Sequence, residues 1–314
     1  MPRTGFRPYK QLVLQQLRSF CEVCRLGSYA RAAETLNLSK PTVWEQLHAL
    51  ERYYKMPLLR RQGNQVMATP EGERLLEAVR PLLAGLDSIA GVLQEKRGQL
   101  PEWITVLSGP RILLEDMIEP MGRFQRRYPA IALRVLHTGE EDLDPLVESG
   151  AVDLAITLEP GPRKGPAPGV VHENAYELDY LLLTPRRHPL ARVKKLRLED
   201  ITRHPLVLGR PEAYARHRVE EVFHRHGLAK EVKIAVETSS DAFSIGCVHA
   251  GMGVAIIAGQ PQGLLGRGLC TRSLRPWFGT ARFVLVWKRG AYLRPSVKEL
   301  AETIRAHVVR LSHL

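Results

Sequence analysis

Cysteines, aromatic residues and long apolar runs are all scarce in this sequence of 314 residues. Its four cysteines are too few for the disulfide framework of a secreted domain. No run approaches the roughly 18 apolar residues of a membrane span, and the first residues contain no apolar core of a secretion signal. With 44% hydrophobic residues, the composition is that of a globular protein. We therefore expect a soluble, cytoplasmic protein of two or three domains without a membrane partner.

Positive charge is concentrated at the beginning of the chain. The net charge is +12, and residues 1–68 hold 11 basic and 4 acidic residues, a net charge of +7. Residues 69–100 carry a net charge of −1 and residues 101–314 a net charge of +6. A basic domain of this kind indicates a polyanionic partner, and simple solubility is the alternative interpretation.

Three helices are predicted within the basic segment. The first covers residues 14–26, where apolar side chains recur at three- and four-residue spacing. Ser28 caps a short second helix, and Ser39 caps a third over residues 39–54. Pro41 occupies the first turn of the third helix, where its missing N–H costs little. Two helices joined by so short a turn indicate a helix-turn-helix unit.

The third helix has two faces. Val43, Leu47 and Leu50 fall on one narrow stripe that anchors the helix. The opposite face is free to enter a major groove and carries Pro41, Trp44, Glu45, His48 and Arg52. An exposed tryptophan usually has a covering surface, so either DNA covers Trp44 or it packs on a neighbouring helix.

A short hairpin follows the third helix. Two strands, over residues 58–61 and 65–68, flank a turn centred on Gly63. Arg60 and Arg61 stand at its base, where a β-wing beside a recognition helix contacts phosphates. A solvated surface hairpin is the alternative.

A long helix is predicted over residues 69–97, with Thr69 as its cap. Its apolar residues alternate between three- and four-residue spacing over roughly three heptads, the pattern of a two-helix seam. A small winged domain cannot bury so long a stripe. We therefore expect a homodimer or homotetramer formed through this helix, with packing inside one chain as the alternative. Pro81 predicts a kink.

Phrases spread over about 60 residues of this region share one family pattern. They are Leu17-Arg18-Ser19-Phe20, residues 27–36, residues 38–43, residues 46–51, residues 57–61 and residues 69–72. In these phrases the sequence resembles the LysR-type transcriptional regulators. The resemblance implies binding to operator DNA through Ser39, Lys40, Pro41 and Thr42 and through the wing arginine Arg61. The predicted DNA-binding set is completed by Ser28, Arg31, Trp44, Glu45, His48, Arg52 and Arg60.

The sequence departs from the family pattern at two places. Trp44 and Glu45 stand where relatives usually have a small polar residue followed by a basic one, and Asn64 and Gln65 replace basic residues at the wing tip. Glu45 either accepts a hydrogen bond from a cytosine amino group or repels phosphate.

Strands and helices alternate beyond residue 100. Residues 104–158 follow a βαβαβ pattern, with its first helix over residues 112–127, and this pattern indicates a parallel sheet. Residues 180–257 form a second α/β half that begins with a strand over residues 180–184. A strand over residues 283–287 and a helix over residues 297–310 return to the first half. The expected fold class is multidomain α/β, with an α-rich winged helix-turn-helix, a long linker helix and a two-subdomain effector domain.

The predicted domain boundaries follow from these patterns. We assign residues 1–68 to the DNA-binding domain, residues 69–98 to the linker helix and residues 101–314 to the effector domain. Subdomain I comprises about residues 101–160 and 270–314, and subdomain II about residues 170–260. Three phrases, His188-Pro189-Leu190-Ala191, Leu198-Glu199-Asp200-Ile201 and Ala250-Gly251-Met252-Gly253-Val254, are similar to the periplasmic-binding-protein-like effector domain of the same family. That similarity implies a small-molecule pocket between the halves.

Several polar residues and glycines lie where strands end and helices begin, which is where open α/β sheets bind ligands. The candidate effector residues are Ser108, Gly109, Arg111, Thr138, Gly139, Ser239 and Ser240. Arg111 is expected to pair with a carboxylate or a similar anion. The alternative is that these residues only form caps and turns.

The sequence contains few motifs that would indicate catalytic, redox or metal-binding chemistry. Cys21 and Cys24 form a C-x-x-C inside an amphipathic helix, where they are expected to be core residues. No metal-ligand pairing and no catalytic signature occurs, so we expect no cofactor, no metal and no enzymatic activity. Two rivals to a regulator remain: a solute-binding module oligomerised by its N-terminal domain, and an α/β enzyme with a regulatory DNA-binding domain.

Overall fold

The computed structural model describes residues 12–139, 143–161, 165 and 167–312. Contacts divide the chain into two compact units. One extends to Ile89 and includes Arg289–Ala291, and the other consists of Ala90–Lys288 and the residues from Tyr292 onward. The division falls inside the long helix and not at either of its ends. Within the described residues, no helix is both long and apolar enough to cross a membrane.

The first unit contains short helices, a hairpin and most of a long helix. Its elements are α1 (Leu14–Leu26), α2 (Tyr29–Thr35), α3 (Lys40–Tyr54), β1 (Leu59–Gln62), β2 (Gln65–Ala68) and α4 (Pro70–Lys96). Gly27 ends α1 with a φ of 65°, a conformation that glycine adopts without steric cost. Ser28 and Ser39 cap α2 and α3 as predicted. The order and nature of all six elements agree with the sequence patterns.

A small apolar core holds these elements together. Phe20 and Val23 of α1 are fully buried with Val43 and Leu50 of α3. Ala32 of α2 is also fully buried, and its small side chain allows close approach of the helices. The stripe that the sequence assigned to the inner face of α3 is therefore in the core.

The long helix α4 runs without interruption through Pro81. A Cβ atom on Gly290 would stand 2.1 Å from the carbonyl oxygen of Pro81, and Gly290 has a φ of 82°. Both observations require glycine at this position. The bend expected at Pro81 stays a prediction.

The second unit is an α/β structure that begins in the last turns of α4. Its further elements are β3 (Trp103–Ser108), α5 (Pro110–Ile112), a π-helical segment (Leu113–Met117), α6 (Ile118–Arg127), β4 (Ala132–His137), α7 (Leu143–Ser149), β5 (Leu154–Leu158), β6 (Val170–Pro185), α8 (Pro189–Arg192), α9 (Leu198–Thr202), β7 (Leu206–Gly209), α10 (Tyr214–Arg225), a 3-10 turn (Ala229–Glu231), β8 (Ile234–Thr238), α11 (Asp241–His249), β9 (Val254–Gly259), β10 (Leu269–Ser273), α12 (Arg275–Phe278), β11 (Thr280–Lys288) and α13 (Pro295–Ser312).

Among the described residues, nine strands form one mixed sheet in the order β4-β3-β5-β11-β6-β9-β7-β8, with β10 beside β6. The strand β3 pairs in parallel with β4 and β5, and β7 pairs in parallel with β8 and β9. Antiparallel strands β11 and β6 join these two groups. The parallel sheet predicted for the first half is confirmed, and so is the presence of a second α/β half.

The strand β6 is much longer than the strand predicted over residues 180–184. It pairs with β11 through its first ten residues and with β9 and β10 through its last ones. The changeover lies near Asp179, inside the strand. The first part was missed because its side chains include histidine, glutamate and asparagine instead of an apolar alternation. Strand β10 was missed as well.

The helix predicted over residues 112–127 begins earlier and is not uniform. It starts at Pro110 and contains the π-helical segment Leu113–Met117 before α6. π-Helical turns are rare and frequently occur at functional sites. Here the wider turn lets Glu115 and Asp116, which are adjacent in sequence, both reach the guanidinium of Arg111.

Candidate nucleic-acid interface and effector cavity

The start of α3 is organised by its N-cap. The Ser39 hydroxyl accepts a hydrogen bond from the backbone N–H of Thr42 at 3.1 Å and lies 2.8 Å from the Thr42 hydroxyl. Lys40 and Pro41 occupy the first helical positions, and both are exposed. Together they present two hydroxyls, an ammonium group and a pyrrolidine ring at the helix terminus that the resemblance associates with DNA.

The outward face of α3 carries a stacked aromatic pair. Trp44 is 50% exposed, and its ring centroid lies 3.7 Å from that of His48, with the planes inclined by 27°. His48 Nδ1 lies 3.0 Å from the carbonyl oxygen of Trp44. Trp44 therefore packs on its own helix and not on a neighbouring one. Glu45 and Arg52 on the same face are exposed.

Ser28 and Arg31 at the start of α2 have structural partners. The Ser28 hydroxyl accepts the backbone N–H of Arg31 at 3.4 Å. The Arg31 guanidinium donates to the carbonyl oxygen of Leu26, although the residue remains exposed. Their contribution to DNA binding stays a prediction.

The hairpin is attached to α3 by a residue that the sequence did not reveal. The Glu51 carboxylate accepts the backbone N–H groups of Leu58 and Leu59 at 2.9 and 3.2 Å. Thr69 adds a bond from its hydroxyl to the carbonyl oxygen of Pro57 at 2.8 Å. No spacing rule links a helical glutamate to backbone N–H groups seven and eight residues further along the chain, so only the fold reveals this role.

The wing arginines point into solvent. Arg60 and Arg61 are both exposed, and they pair across the hairpin with Met67 and Val66 respectively. The backbone N–H of Val66 donates to the carbonyl oxygen of Gly27 at 2.9 Å, which fixes the hairpin against the turn between α1 and α2. The two guanidinium groups therefore extend from a hairpin whose position is fixed by this hydrogen bond.

The linker helix α4 exposes an apolar stripe. Leu82, Leu86, Ile89 and Leu93 are spaced by four, three and four residues, and Leu82 is 65% exposed. By contrast, Leu76, Val79 and Leu83 are buried. A helix that exposes leucines at heptad spacing is suited to pairing with another helix.

A cavity lies in the second unit where the two parallel strand groups end. It encloses about 860 Å³ of empty space, its open mouth included. Six of the seven predicted effector residues line it, namely Gly109, Arg111, Thr138, Gly139, Ser239 and Ser240. The lining also includes Arg210, Arg216 and Phe283, which were not among the predicted effector residues.

Ser108, the seventh predicted residue, is not part of the cavity lining. Its side chain is fully buried and its hydroxyl donates to the carbonyl oxygen of Ile156 at 2.6 Å. It is the last residue of β3, so its side chain bonds to the neighbouring strand and not to the cavity. Ser108 therefore has a structural role in place of the predicted one.

The cavity arginine Arg111 already has partners inside the protein. It is 2% exposed, and its Nη1 and Nη2 each lie 3.2 Å from a carboxylate oxygen, of Glu115 and Asp116 respectively. The guanidinium also lies over the Phe283 ring, 5.2 Å from its centroid. An effector anion that uses Arg111 must share or replace these contacts.

Electrostatics around Arg111 are strongly perturbed. Burial lowers the pKa of Arg111, but Asp116 and Glu115 outweigh it, so the pKa is raised and the charge is held. Burial and the charge of Asp116 raise the pKa of Tyr176, whose hydroxyl donates to Asp116 at 2.9 Å. Burial also raises the pKa of Asp241 at the cavity wall, with Arg111 opposing this and Glu115 reinforcing it.

None of the four cysteines is in a disulfide. Cys21 and Cys24 pack against the core of the first unit from α1. In the described part of the chain, no group of three or more histidine, cysteine, aspartate or glutamate side chains is arranged to hold a metal ion.

A winged helix-turn-helix followed by an α/β domain with a cavity is the architecture of a class of DNA-binding transcriptional regulators. The family comparisons agree. Residues 14–73 match the family model "Bacterial regulatory helix-turn-helix protein, lysR family", and residues 110–309 match "LysR substrate binding domain". The chain belongs to the LysR family of transcriptional regulators.

Similar proteins of known name are regulators as well. The chain is 30% identical to the HTH-type transcriptional regulator CbbR of Xanthobacter flavus, over 78% of this chain and 72% of that one. It is 26% identical to the HTH-type transcriptional activator CmpR of Synechocystis, over 79% and 80% of the two chains.

Solved structures show the same fold. A full-length OxyR variant from Pseudomonas aeruginosa superposes with a TM-score of 0.64 at 20% identity, over 96% of this chain and 97% of that one. CbnR, a LysR family regulator, superposes with a TM-score of 0.53 at 18% identity, over 93% and 100%.

Proposed function

We propose that this regulator recognises the bases of its operator with the Trp44–His48 face of α3 and contacts the flanking phosphates with the wing arginines. The observation that supports this most directly is the two-sided character of α3. Val43 and Leu47 are buried while Trp44 is half exposed on the opposite side. The N-terminal residues also carry most of the excess positive charge. Phosphate contacts position such a domain, and base contacts give it specificity.

Pairing of two subunits along α4 completes this proposal. The exposed stripe from Leu82 to Leu93 offers a surface that a second copy of α4 would cover. A two-fold dimer would present two recognition helices to two half-sites of an operator.

The effector part of the proposal concerns the cavity. Its lining combines the guanidinium groups of three arginines, hydroxyls and the Phe283 ring with one carboxylate, that of Asp241. The excess of positive groups suits a small polar molecule with an anionic group. Binding there would change the packing of the two strand groups and thereby the spacing of paired recognition helices.

Salt-titrated DNA binding by the full chain tests the regulator proposal. Fragments captured from genomic DNA should be bound in preference to random duplex, and the logarithm of the binding constant should fall linearly with the logarithm of the salt concentration. A solute-binding module would show neither the preference nor the salt slope. Footprints with and without candidate metabolites then test the effector step, and an identical footprint at saturating ligand would remove it.

A further inference from the structure

A chain of contacts runs from the cavity arginine to the loop between β9 and β10. Arg111 lines the cavity, and its Nη1 lies 3.2 Å from Oε2 of Glu115. Glu115 does not line the cavity; its side chain is only 4% exposed. Its other oxygen, Oε1, accepts the backbone N–H of Leu265 at 2.9 Å. One carboxylate therefore holds both the cavity arginine and a loop 150 residues further along the chain.

The loop is fitted closely over this carboxylate. A Cβ atom on Gly263 would stand 2.3 Å from Oε1 of Glu115, so the Gly263 backbone rests directly on the carboxylate. The carbonyl oxygen of Leu265 lies 2.9 Å from Nε2 of His249, the last residue of α11. Helix α11 begins at the cavity with Ser240 and Asp241. Leu265 thus connects Glu115 to the helix whose first residues form part of the cavity wall.

Arg111 has one more carboxylate partner than its charge requires. Glu115 and Asp116 both contact it, and Asp116 is additionally bonded to the Tyr176 hydroxyl. Asp116 can therefore stay in place if Glu115 leaves. Exchanging one carboxylate on a buried guanidinium for another retains the ion pair, whereas removing a partner without replacement would leave a buried charge uncompensated. A ligand carboxylate is the kind of group that can replace Glu115 there.

We propose that the Arg111–Glu115 pair is a latch that an anionic ligand opens: a small carboxylate entering the cavity takes Arg111 from Glu115, and the displaced Glu115 releases the Leu265 amide and the loop over it. This inference rests on the proposed use of the cavity as an effector site and adds both a ligand class and a transmission step. Repulsion between the ligand carboxylate and Glu115 drives the release, and His249 carries it to α11.

Two variants each disturb one side of the latch without a ligand: Gly263→Ala acts on the loop and Glu115→Gln acts on the pairing with Arg111. In Gly263→Ala the new methyl group displaces the Glu115 carboxylate, and the amide hydrogen of Leu265 should exchange with solvent at least about tenfold faster than in the unmodified chain. The matched control is Gly266→Ala in the same loop, whose Cβ would meet only ordinary contacts at 3.7 and 3.8 Å. In Glu115→Gln, which has the same shape, the ionic contact with Arg111 is lost, while the amide oxygen can still accept the Leu265 N–H and Asp116 still pairs with Arg111. Equal Leu265 exchange rates in the two alanine variants would overturn the latch.

Butyrate and its uncharged isostere butyramide test the ligand step. Butyrate should bind the unmodified chain weakly and accelerate Leu265 exchange. It should bind Glu115→Gln at least about threefold more tightly, because the Glu115 carboxylate no longer competes with it for Arg111. Butyramide should do neither. The control for charge removal is Glu119→Gln, one turn further on and largely exposed. Failure of butyrate to bind, or binding that leaves Leu265 exchange unchanged, would contradict the proposal.

Measurements of operator binding by the same variants distinguish a failure of the latch from a failure of the proposed effector function. A chain that binds DNA and shows a ligand-dependent footprint, but whose Leu265 exchange never changes, refutes the latch alone. A chain whose Leu265 exchange responds to butyrate without any effect on the footprint supports the latch and refutes the effector role of the cavity.

Discussion

The indole ring of Trp44 lies flat against the imidazole ring of His48, with the ring centroids 3.7 Å apart, on the outward face of α3. His48 is further fixed by the 3.0 Å contact between its Nδ1 and the carbonyl oxygen of Trp44. The two rings form a preorganised surface, because little side-chain freedom remains to be lost on binding. A flat aromatic face of this kind is suited to apolar contact with a thymine methyl group.

Trp44→Ala should weaken operator binding by about 1 to 3 kcal/mol, at least several-fold, because it removes this face from the groove. Binding to random duplex should change little, since phosphate contacts remain. The measurement is fluorescence anisotropy with both duplexes. Trp103→Ala, which removes a comparably exposed tryptophan from β3, is the control and should retain full affinity. Equal losses on operator and random DNA would contradict base recognition by Trp44.

Replacing the wing arginines should weaken binding to DNA of any sequence, in contrast to the operator-specific loss expected for Trp44→Ala. Arg60→Gln and Arg61→Gln each remove an exposed cation from the hairpin, so affinity should fall on operator and random duplex alike. The salt slope should decrease by about one unit for each phosphate that the variant no longer neutralises. Arg126→Gln, an exposed arginine on α6, serves as the control for net charge. An unchanged salt slope would show that the wing does not contact phosphate.

The sequence predicted most of the first unit because its signals are local. Capping serines, Gly27 and the Val43–Leu47–Leu50 stripe act within a few residues, and each is where the pattern placed it. The stacking of Trp44 on His48 was not foreseen, although their shared face was. Exposure follows from helical periodicity, whereas the rotamers of two neighbouring rings depend on packing.

The cavity was predicted less completely because it is assembled from distant segments. Positions at strand ends pointed to Arg111 and Ser240, and the same rule would have included Arg210, which directly follows β7. Arg216 lies inside α10, where the rule gives no signal. Ser108 was misassigned because a residue at a strand end can equally well bond to the next strand. The Glu115–Leu265 bond joins partners 150 residues apart, which no local pattern records.

Charge placed in the linker stripe should separate the subunits. Leu86→Glu introduces a carboxylate into the surface that a second α4 would cover, so the dimer should dissociate at least about tenfold more readily. Sedimentation velocity across a concentration series measures this. Glu77→Gln, a change at an exposed position of the same helix, should leave the association constant unaltered. A Leu86→Glu chain with undiminished self-association would show that the subunits associate through a surface other than this stripe.

Glu95 stabilises the effector domain by capping its last helix. Its carboxylate accepts the Ser296 N–H at 2.6 Å and the Ser296 hydroxyl at 3.0 Å, at the start of α13. Glu95→Ala leaves both buried donors without an acceptor, so the free energy of unfolding should fall by about 1 to 3 kcal/mol. Urea unfolding followed by circular dichroism measures the loss. Glu302→Gln, which breaks only a surface pair on α13, should change it by less than about 1 kcal/mol.

Cys24 should resist alkylation in the folded chain although it belongs to a C-x-x-C. Burial, followed by the neighbouring Cys21, raises the pKa of Cys24 to about 12. At pH 8 its thiolate fraction is then about 10⁻⁴, against about a quarter for an ordinary thiol with a pKa near 8.5. Iodoacetamide should therefore modify Cys24 at least about 100-fold more slowly in the native chain than in urea, as resolved by fragment mass spectrometry.

The rate of Cys24 modification in the native chain should rise about tenfold per pH unit between about pH 8 and 10, since only the thiolate reacts. Fast modification at neutral pH would instead reveal a reactive dithiol and reopen a redox role for α1.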